Sequence, residues 1–282
     1  LRYFLHRSCG EAKVGRRTLA LILVGAVLTA CGGGGVQLKG PDPSVAAGIN
    51  QLTIYWEPAD GTVVGDDRIF LLYVPESYIE EPTAPLPLVV FLSGNADDFV
   101  NNPDGVRAYA GILGAAQVLP HEFAAVVPVP TFWDYSEDTW RADWIDFLIT
   151  HVEDLIDVDP DRISVTGHSF GAASAIAYGM AYPERPAALV ALAGYWPVGH
   201  DGAVRTDQLP ADLCNAAGIP IRMYHGDFDP IVPLAEAETL AQGLRDCGAD
   251  VELTIIDGAG HNPERDVFSD IAFYDWLFAQ RR

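Results

Sequence analysis

The sequence predicts an α/β domain in which helices cover both faces of a mostly parallel sheet. Apolar runs of strand length alternate with segments whose apolar residues recur at helical spacing. The run at residues 86–92, Leu-Pro-Leu-Val-Val-Phe-Leu, is apolar throughout, as expected of a central strand covered on both faces. Hydrophobic residues make up 49% of the 282 residues, enough for a sizeable core. Alternation along most of the chain implies parallel strands joined by helical crossovers.

The same patterns place the elements in order. Residues 52–55 and 69–74 are predicted to form an opening antiparallel pair of strands. Further strands are expected at residues 86–92, 124–129, 163–166, 188–193, 219–224 and 251–256. Helices are expected at residues 106–116, 140–156, 172–181, 234–244 and 266–280, with Pro160 ending the second of them. Active groups in such sheets gather at the carboxyl ends of the strands, so the residues that follow strands are the functional candidates.

Residues 1–30 are predicted to be an export signal. Arg16 and Arg17 precede an uncharged run, residues 18–30, which has the length of a signal-peptide core and is short for a membrane span. The run ends Leu-Thr-Ala before Cys31, which resembles a bacterial lipobox. That resemblance implies cleavage before Cys31, a lipid on its thiol, and anchoring to the cell envelope on its periplasmic or extracellular face. The alternative is an ordinary signal peptide cut after Ala30.

The stretch after Cys31 is rich in glycine and proline. Residues 31–50 are therefore predicted to be a flexible tether, and residues 51–282 the folded domain.

The formal charge of the chain is −22, from 17 basic and 39 acidic residues. An acidic surface repels phosphate backbones and anionic lipid headgroups. The charge therefore argues against a nucleic-acid partner and against electrostatic attachment to a membrane.

Two of the four cysteines, Cys214 and Cys247, fall in the predicted domain. In an exported protein such a pair is a disulfide candidate, and both would lie at the amino-terminal edge of the sheet. Two buried thiols are the alternative.

Residues 167–171, Gly-His-Ser-Phe-Gly, match the pattern G-x-S-x-G between a predicted strand and a predicted helix. A serine on such a sharp turn is exposed above the sheet, beside a helix amino terminus that favours negative charge. Ser169 is therefore the predicted nucleophile. A serine hydroxyl needs a base, and His261 follows a glycine-rich loop directly after the last predicted strand. Asp227 and Asp229 both follow another strand end, and either carboxylate suits the role of orienting His261.

The chain from about residue 86 onward resembles the α/β-hydrolase superfamily, near its polyhydroxybutyrate-depolymerase, feruloyl-esterase and dienelactone-hydrolase-like branches. The resemblance lies in residues 158–169, in Tyr-Pro-Glu-Arg at 182–185, in His-Gly-x-x-Asp-x-x-Val-Pro at 225–233, and in Gly-x-Gly-His at 258–261. It implies an α/β-hydrolase fold, and it assigns the catalytic acid to Asp229 and turn chemistry to Asp227. The order of Ser169, Asp229 and His261 along the chain is the order of that superfamily.

The resemblance also implies an oxyanion hole built from the backbone amides of Phe170 and Asn95. Members of the family usually carry His-Gly after the third strand, where this chain has Ser93 and Gly94. Backbone donors do not require that histidine, but its loss leaves the local geometry of the loop open. The side-chain amide of Asn95 is an alternative donor.

Aromatic residues that follow two strand ends are candidates for the walls of a substrate pocket. The predicted substrate-binding residues are Trp133, Tyr195 and Trp196, and Phe132, Tyr135 and Trp140 are further candidates. The alternative is that these side chains only cover the core beneath a loop.

The leading hypothesis is a carboxylic-ester hydrolase acting on a small or polymeric ester through an acyl-enzyme intermediate. No spacing of histidines and carboxylates suggests a metal, and no G-x-G-x-x-G follows a strand, so no cofactor is predicted. The alternatives are a peptidase of the prolyl-oligopeptidase type and a non-catalytic surface-binding lipoprotein on a hydrolase fold.

Overall fold

Eight strands of the described residues form one sheet, in the order β1-β2-β4-β3-β5-β6-β7-β8. The computed structural model describes residues 38–61, 65–95, 97–131, 140–196 and 209–282. The strand β2 is antiparallel to β1 and β4, and the other neighbouring strands are parallel. The strands are β1 (Gly48–Trp56), β2 (Asp66–Val74), β3 (Leu86–Leu92), β4 (Ala124–Pro128), β5 (Val158–His168), β6 (Ala188–Leu192), β7 (Ile221–Gly226) and β8 (Val251–Ile256).

Helices join the strands within the described part of the chain. They are α1 (Glu76–Glu80), α2 (Pro103–Tyr109), α3 (Gly111–Val118), α4 (Ala142–Leu155), α5 (Phe170–Ala181), α6 (Leu234–Asp246), α7 (Glu264–Phe268) and α8 (Ile271–Ala279). Short 3-10 segments occupy Asp97–Phe99 and Leu213–Gly218.

Helices pack on both faces of the sheet, and β3 shows why its sequence is continuously apolar. Leu88, Val90 and Leu92 point into a core shared with α4, α5 and α6, whereas Val89 and Phe91 point into a core shared with α2, α3, α7 and α8. All five side chains are fully buried. The predicted α/β architecture with helices on both faces is confirmed.

Two helices predicted as continuous are each divided in the structure. The segment expected at residues 106–116 is α2 and α3, because Ala110 leaves the helical region with ψ of 84°. The segment expected at 266–280 is α7 and α8, because the side chain of Asp270 accepts a hydrogen bond from the amide of Ala272 and starts a new helix. Pro160, predicted to end a helix, lies in β5, and α4 has already ended at Leu155.

The folded region begins earlier than the predicted boundary at residue 51. The amide of Asp42 donates to the carbonyl oxygen of Leu155. The hydroxyl of Tyr78 donates to the backbone carbonyl oxygen of Lys39. Val45 is buried, and β1 starts at Gly48. The last part of the predicted tether therefore packs on the domain, because it supplies backbone partners and an apolar side chain.

The predicted signal peptide and Cys31 lie outside the described residues. Among the helices that are described, none combines the length and the apolar character needed to span a membrane.

Cys214 and Cys247 form a disulfide in the structure, with their Cα atoms 5.0 Å apart. Cys214 lies in the 3-10 segment before β7, and Cys247 ends α6 before β8. The bridge therefore lies at the amino-terminal edge of the sheet, and of the two alternatives, a disulfide and two buried thiols, the structure has the disulfide.

Candidate active site

Ser169 lies at the tight turn between β5 and α5. Its backbone has φ 53° and ψ −118°, a conformation that costs a non-glycine residue roughly 1–3 kcal/mol. The surrounding structure holds it there, because the amide of Ser169 donates to the carbonyl oxygen of Leu192 at 2.8 Å. The serine is followed immediately by the amino terminus of α5, as the G-x-S-x-G pattern predicts.

The two glycines of that pattern are needed because backbone passes very close to both. A Cβ atom on Gly167 would lie 2.2 Å from the carbonyl oxygen of Gly171. A Cβ atom on Gly171 would lie 2.1 Å from the carbonyl oxygen of Leu92 in β3. A side chain at either position would push α5 away from the sheet, and Ser169 would move with the helix.

His261 lies between Ser169 and Asp229. Its Nε2 atom is 3.0 Å from Oγ of Ser169, and its Nδ1 atom is 2.8 Å from Oδ2 of Asp229. Ser169 follows β5, Asp229 follows β7 and His261 follows β8. The sheet therefore brings distant parts of the chain to one edge. The imidazole of His261 is 11% exposed, and Ser169 is 7% exposed.

The carboxylate of Asp229 is buried and well supplied with hydrogen-bond donors. The amides of Ile231 and Val232 donate to its Oδ1 atom at 2.8 and 2.9 Å. Burial by itself raises the pKa of Asp229, but the hydrogen bonds from His261, Val232 and Ile231 outweigh it, and the pKa is lowered. Asp229 is therefore held as an anion beside Nδ1 of His261.

The other polar residues of the β7 loop have structural contacts. Nε2 of the buried His225 donates to the carbonyl oxygen of Val232 at 2.9 Å, and it lies 3.3 Å from Oδ2 of Asp229. The carboxylate of Asp227 accepts from the amide of Gly258 at 2.7 Å and so fastens the loop that carries His261.

The segment predicted to supply half of an oxyanion hole lies beside the serine. A Cβ atom on Gly94 would be 3.1 Å from Cβ of Ser169, so the chain passes directly over the turn. The indole Nε1 of the buried Trp140 donates to the carbonyl oxygen of Ser93 at 2.9 Å. This bond fixes the backbone that leads to the half-buried Asn95. Trp140 therefore supports this loop from the core.

The remaining aromatic candidates are only partly described. Tyr195 and Trp196 follow β6 and are half-buried, and Trp196 packs against the core on the α5 side of the sheet. Trp133, with Phe132 and Tyr135, lies outside the described residues.

One group of polar residues near the site had no sequence signal. His168, the second residue of the G-x-S-x-G motif, contacts both Tyr109 of α2 and Glu264 of α7. Its ring centroid lies 4.7 Å from that of His261. No local pattern joins positions 109, 168 and 264, since only the tertiary fold brings them together.

Comparison with known proteins agrees with this fold. The sequence profile of the phospholipase/carboxylesterase family matches residues 140–274, which include Ser169, Asp229 and His261. Two uncharacterised proteins of Mycobacterium tuberculosis are 31% identical over 117 residues, a match that covers 38% of this chain and 40% of each relative. The chain thus spans well under half the length of these curated relatives.

Solved structures show the same architecture at low sequence identity. A thermostable esterase superposes with a TM-score of 0.60 and 21% identity, covering 82% of this chain and 63% of that one. A ferulic acid esterase also gives a TM-score of 0.60, at 16% identity, covering 82% of this chain and all of its own. The chain therefore has the α/β-hydrolase fold that the sequence predicts.

Proposed function

We propose that this chain hydrolyses carboxylic esters through an acyl-enzyme intermediate. The observation that carries the proposal is the continuous contact from Asp229 to His261 to Ser169, at 2.8 and 3.0 Å. The profile match and the structural neighbours, which are esterases by name, support the same reaction class.

In the first half of the reaction, Oγ of Ser169 attacks the ester carbonyl while Nε2 of His261 takes its proton. Asp229 keeps Nδ1 of His261 protonated and stabilises the imidazolium that forms. The backbone amides of Phe170 and Asn95 donate to the oxyanion. Collapse of the tetrahedral intermediate breaks the bond to the alcohol oxygen, which leaves with the proton from His261. The acyl group stays on Ser169.

In the second half, a water molecule attacks the acyl carbonyl and gives a proton to His261. The proton then returns to Oγ of Ser169 as the carboxylic acid leaves. Half-buried Tyr195 and Trp196, with Trp133, are proposed to contact the acyl or aryl part of the substrate. A polymeric ester such as a polyhydroxyalkanoate is a substrate variant within this proposal.

Fluorophosphonate labelling tests the chemistry directly, because the probe phosphonylates only an activated serine. We expect labelling of the wild type and its loss in Ser169→Ala. Ser174→Ala is the matched control: Ser174 is a buried serine of α5, whose hydroxyl donates to the carbonyl oxygen of Phe170. A wild type that resists the probe and leaves aryl esters intact would favour the non-catalytic binding protein.

We also propose that the chain is exported and anchored to the cell envelope through a lipid on Cys31. The proposal is supported by Arg16, Arg17 and the short apolar run before the cysteine. The disulfide between Cys214 and Cys247 fits an oxidising compartment. Metabolic labelling with an alkyne fatty acid should mark the wild type and not Cys31→Ala. An unlabelled mature protein that begins at Cys31 would instead indicate an ordinary signal peptide.

A further inference from the structure

A second histidine lies directly behind the imidazole of His261. His168 is 3% exposed, and its Nε2 atom is 2.6 Å from the backbone carbonyl oxygen of His261. A carbonyl oxygen can only accept, so the proton of His168 is on Nε2. This bond fixes the tautomer of His168 and at the same time holds the backbone of His261.

The other ring nitrogen of His168 faces two further polar groups. Nδ1 is within hydrogen-bonding distance of the Tyr109 hydroxyl and 3.1 Å from Oε1 of Glu264. The Tyr109 hydroxyl also hydrogen-bonds to Oε1 of Glu264. The side chain of Glu264 is 7% exposed, so these contacts take place largely out of water.

The number of protons in this chain of contacts depends on whether the ring of His168 is neutral. Because Nε2 of His168 already carries a proton, a neutral ring accepts at Nδ1, and the Tyr109 hydroxyl must be the donor. The oxygen of Tyr109 then accepts from Glu264, which requires Glu264 to be protonated. Burial favours this neutral arrangement, since it raises the pKa of Glu264 and lowers the pKa of His168 to about 3.

The charged groups around the chain favour the same state. His168 faces the imidazoles of His261 and His225 and the carboxylate of Asp229, and Glu264 faces His261. The opposite arrangement, an ionised Glu264 with a protonated His168, would place a cation beside His261 when His261 itself becomes an imidazolium. A neutral His168 avoids that repulsion.

The loop that carries His261 needs such an anchor. Its glycines, Gly258 with φ 74° and Gly260, leave its backbone intrinsically free. The first part of the loop is fastened by the Asp227 carboxylate at the amide of Gly258 and by the amide of Phe228 at the carbonyl of Ala259. The hydrogen bond from His168 holds the backbone of His261 itself.

We propose that Glu264, Tyr109 and His168 form a neutral hydrogen-bonded relay that positions His261 for proton transfer with Ser169. The proposal rests on the proposed esterase function. All three are positioning residues: His168 contacts the backbone and ring of His261, and Tyr109 and Glu264 act through His168. Their effect should fall on kcat more than on KM, since the base is displaced while the substrate pocket is untouched.

Tyr109→Phe is the decisive variant because it removes one hydroxyl from the relay and no packing volume. We expect kcat for an aryl acetate to fall roughly ten- to a hundredfold, with KM changed by less than about twofold. Tyr274→Phe is the matched control. Tyr274 is a buried tyrosine of α8 whose hydroxyl donates to the carbonyl oxygen of Phe268, so its loss has a similar structural cost. Equal kcat values in the two variants would overturn the proposal.

Two variants of Glu264 separate a neutral donor from an anion. Glu264→Gln keeps an N–H donor towards the oxygen of Tyr109, so it should recover most of the activity that Glu264→Ala loses. If Glu264 acted as an anion paired with a protonated His168, the glutamine and alanine variants would be equally impaired.

Nitrogen-15 NMR of histidine-labelled protein checks the relay without any turnover. We expect His168 to be neutral, with its proton on Nε2, from about pH 5 to about pH 8. A protonated His168 at neutral pH would contradict the relay. If the wild type neither reacts with fluorophosphonate nor cleaves esters, both proposals fail. If the wild type is active and Tyr109→Phe matches Tyr274→Phe, only the positioning proposal fails.

Discussion

Asp229 contacts His261 through one carboxylate oxygen and two backbone amides through the other. The amides of Ile231 and Val232 fix the direction of the carboxylate, so the direction of the imidazole follows from the fold of the β7 loop. The orientation of the His261 imidazole therefore depends on the negative charge of Asp229 as well as on the shape of its side chain.

Asp229→Asn should lower kcat by roughly 10⁴-fold, because an amide can donate to Nδ1 and hold His261 in the wrong tautomer. Esterase kinetics with an aryl acetate measures the change. Asp227→Asn is the control, since its remaining oxygen can still accept from the amide of Gly258. We expect that variant to lose less than about tenfold. Comparable losses in both variants would contradict the assignment of the acid to Asp229.

Gly171→Ala should destabilise the fold by about 2 kcal/mol or more, because its Cβ atom would meet the carbonyl oxygen of Leu92. Urea unfolding gives the free energy of unfolding for comparison with the wild type. Gly114→Ala is the matched substitution in α3, where a Cβ atom meets nothing within 4 Å. It should stabilise the protein by roughly 0.5–1 kcal/mol. Equal effects at the two positions would argue against the close approach of α5 and β3.

Removal of the disulfide by a double Cys214→Ala, Cys247→Ala substitution should cost about 2–4 kcal/mol of stability. The bridge closes a loop of 33 residues, which restricts the unfolded chain. Esterase activity in the absence of denaturant should change by less than about twofold, because the bridge and Ser169 lie at opposite edges of the sheet. Urea titration and ester hydrolysis on the same preparations measure both. A large loss of activity with unchanged stability would contradict this separation.

The pH dependence of stability should contain a contribution from His168. Its pKa is lowered to about 3 by burial, whereas the unfolded chain has a histidine pKa near ~6.5. Between these values the unfolded state binds more protons, so stability is fully present above about pH 6.5 and is lost as the pH falls. His168→Gln should therefore lose stability on acidification less steeply, by up to about 1.4 kcal/mol per pH unit. Parallel curves for the variant and the wild type would show that His168 titrates normally in the fold.

The positions of the strands and the residues at their ends could be predicted from the sequence because each has a local signal. Ser169 lies in a motif between a strand and a helix, and His261 follows a glycine-rich loop. The choice of Asp229 over Asp227 needed the resemblance to a family. The structure adds a reason, since Asp227 is engaged with Gly258 and Asp229 with His261.

The features that escaped prediction depend on tertiary contacts. The break at Ala110 is set by how α2 and α3 pack on the sheet, and a helical pattern runs through it without a proline. The early start of the domain rests in part on one backbone hydrogen bond, from the amide of Asp42 to the distant end of α4 at Leu155. The contacts among Tyr109, His168 and Glu264 join three separate segments, and buried polar clusters of this kind leave no periodic trace in a sequence.

The position of β8 has a consequence for inactivation. Among the described strands it is the last of the sheet and pairs with β7 alone, yet His261 follows it and Asp229 follows its neighbour. If β7 and β8 came away from the rest of the sheet, the proposed acid and base would separate from Ser169, which lies after the interior strand β5. Mild denaturants should therefore abolish turnover at concentrations where the far-ultraviolet circular dichroism of the domain is still native.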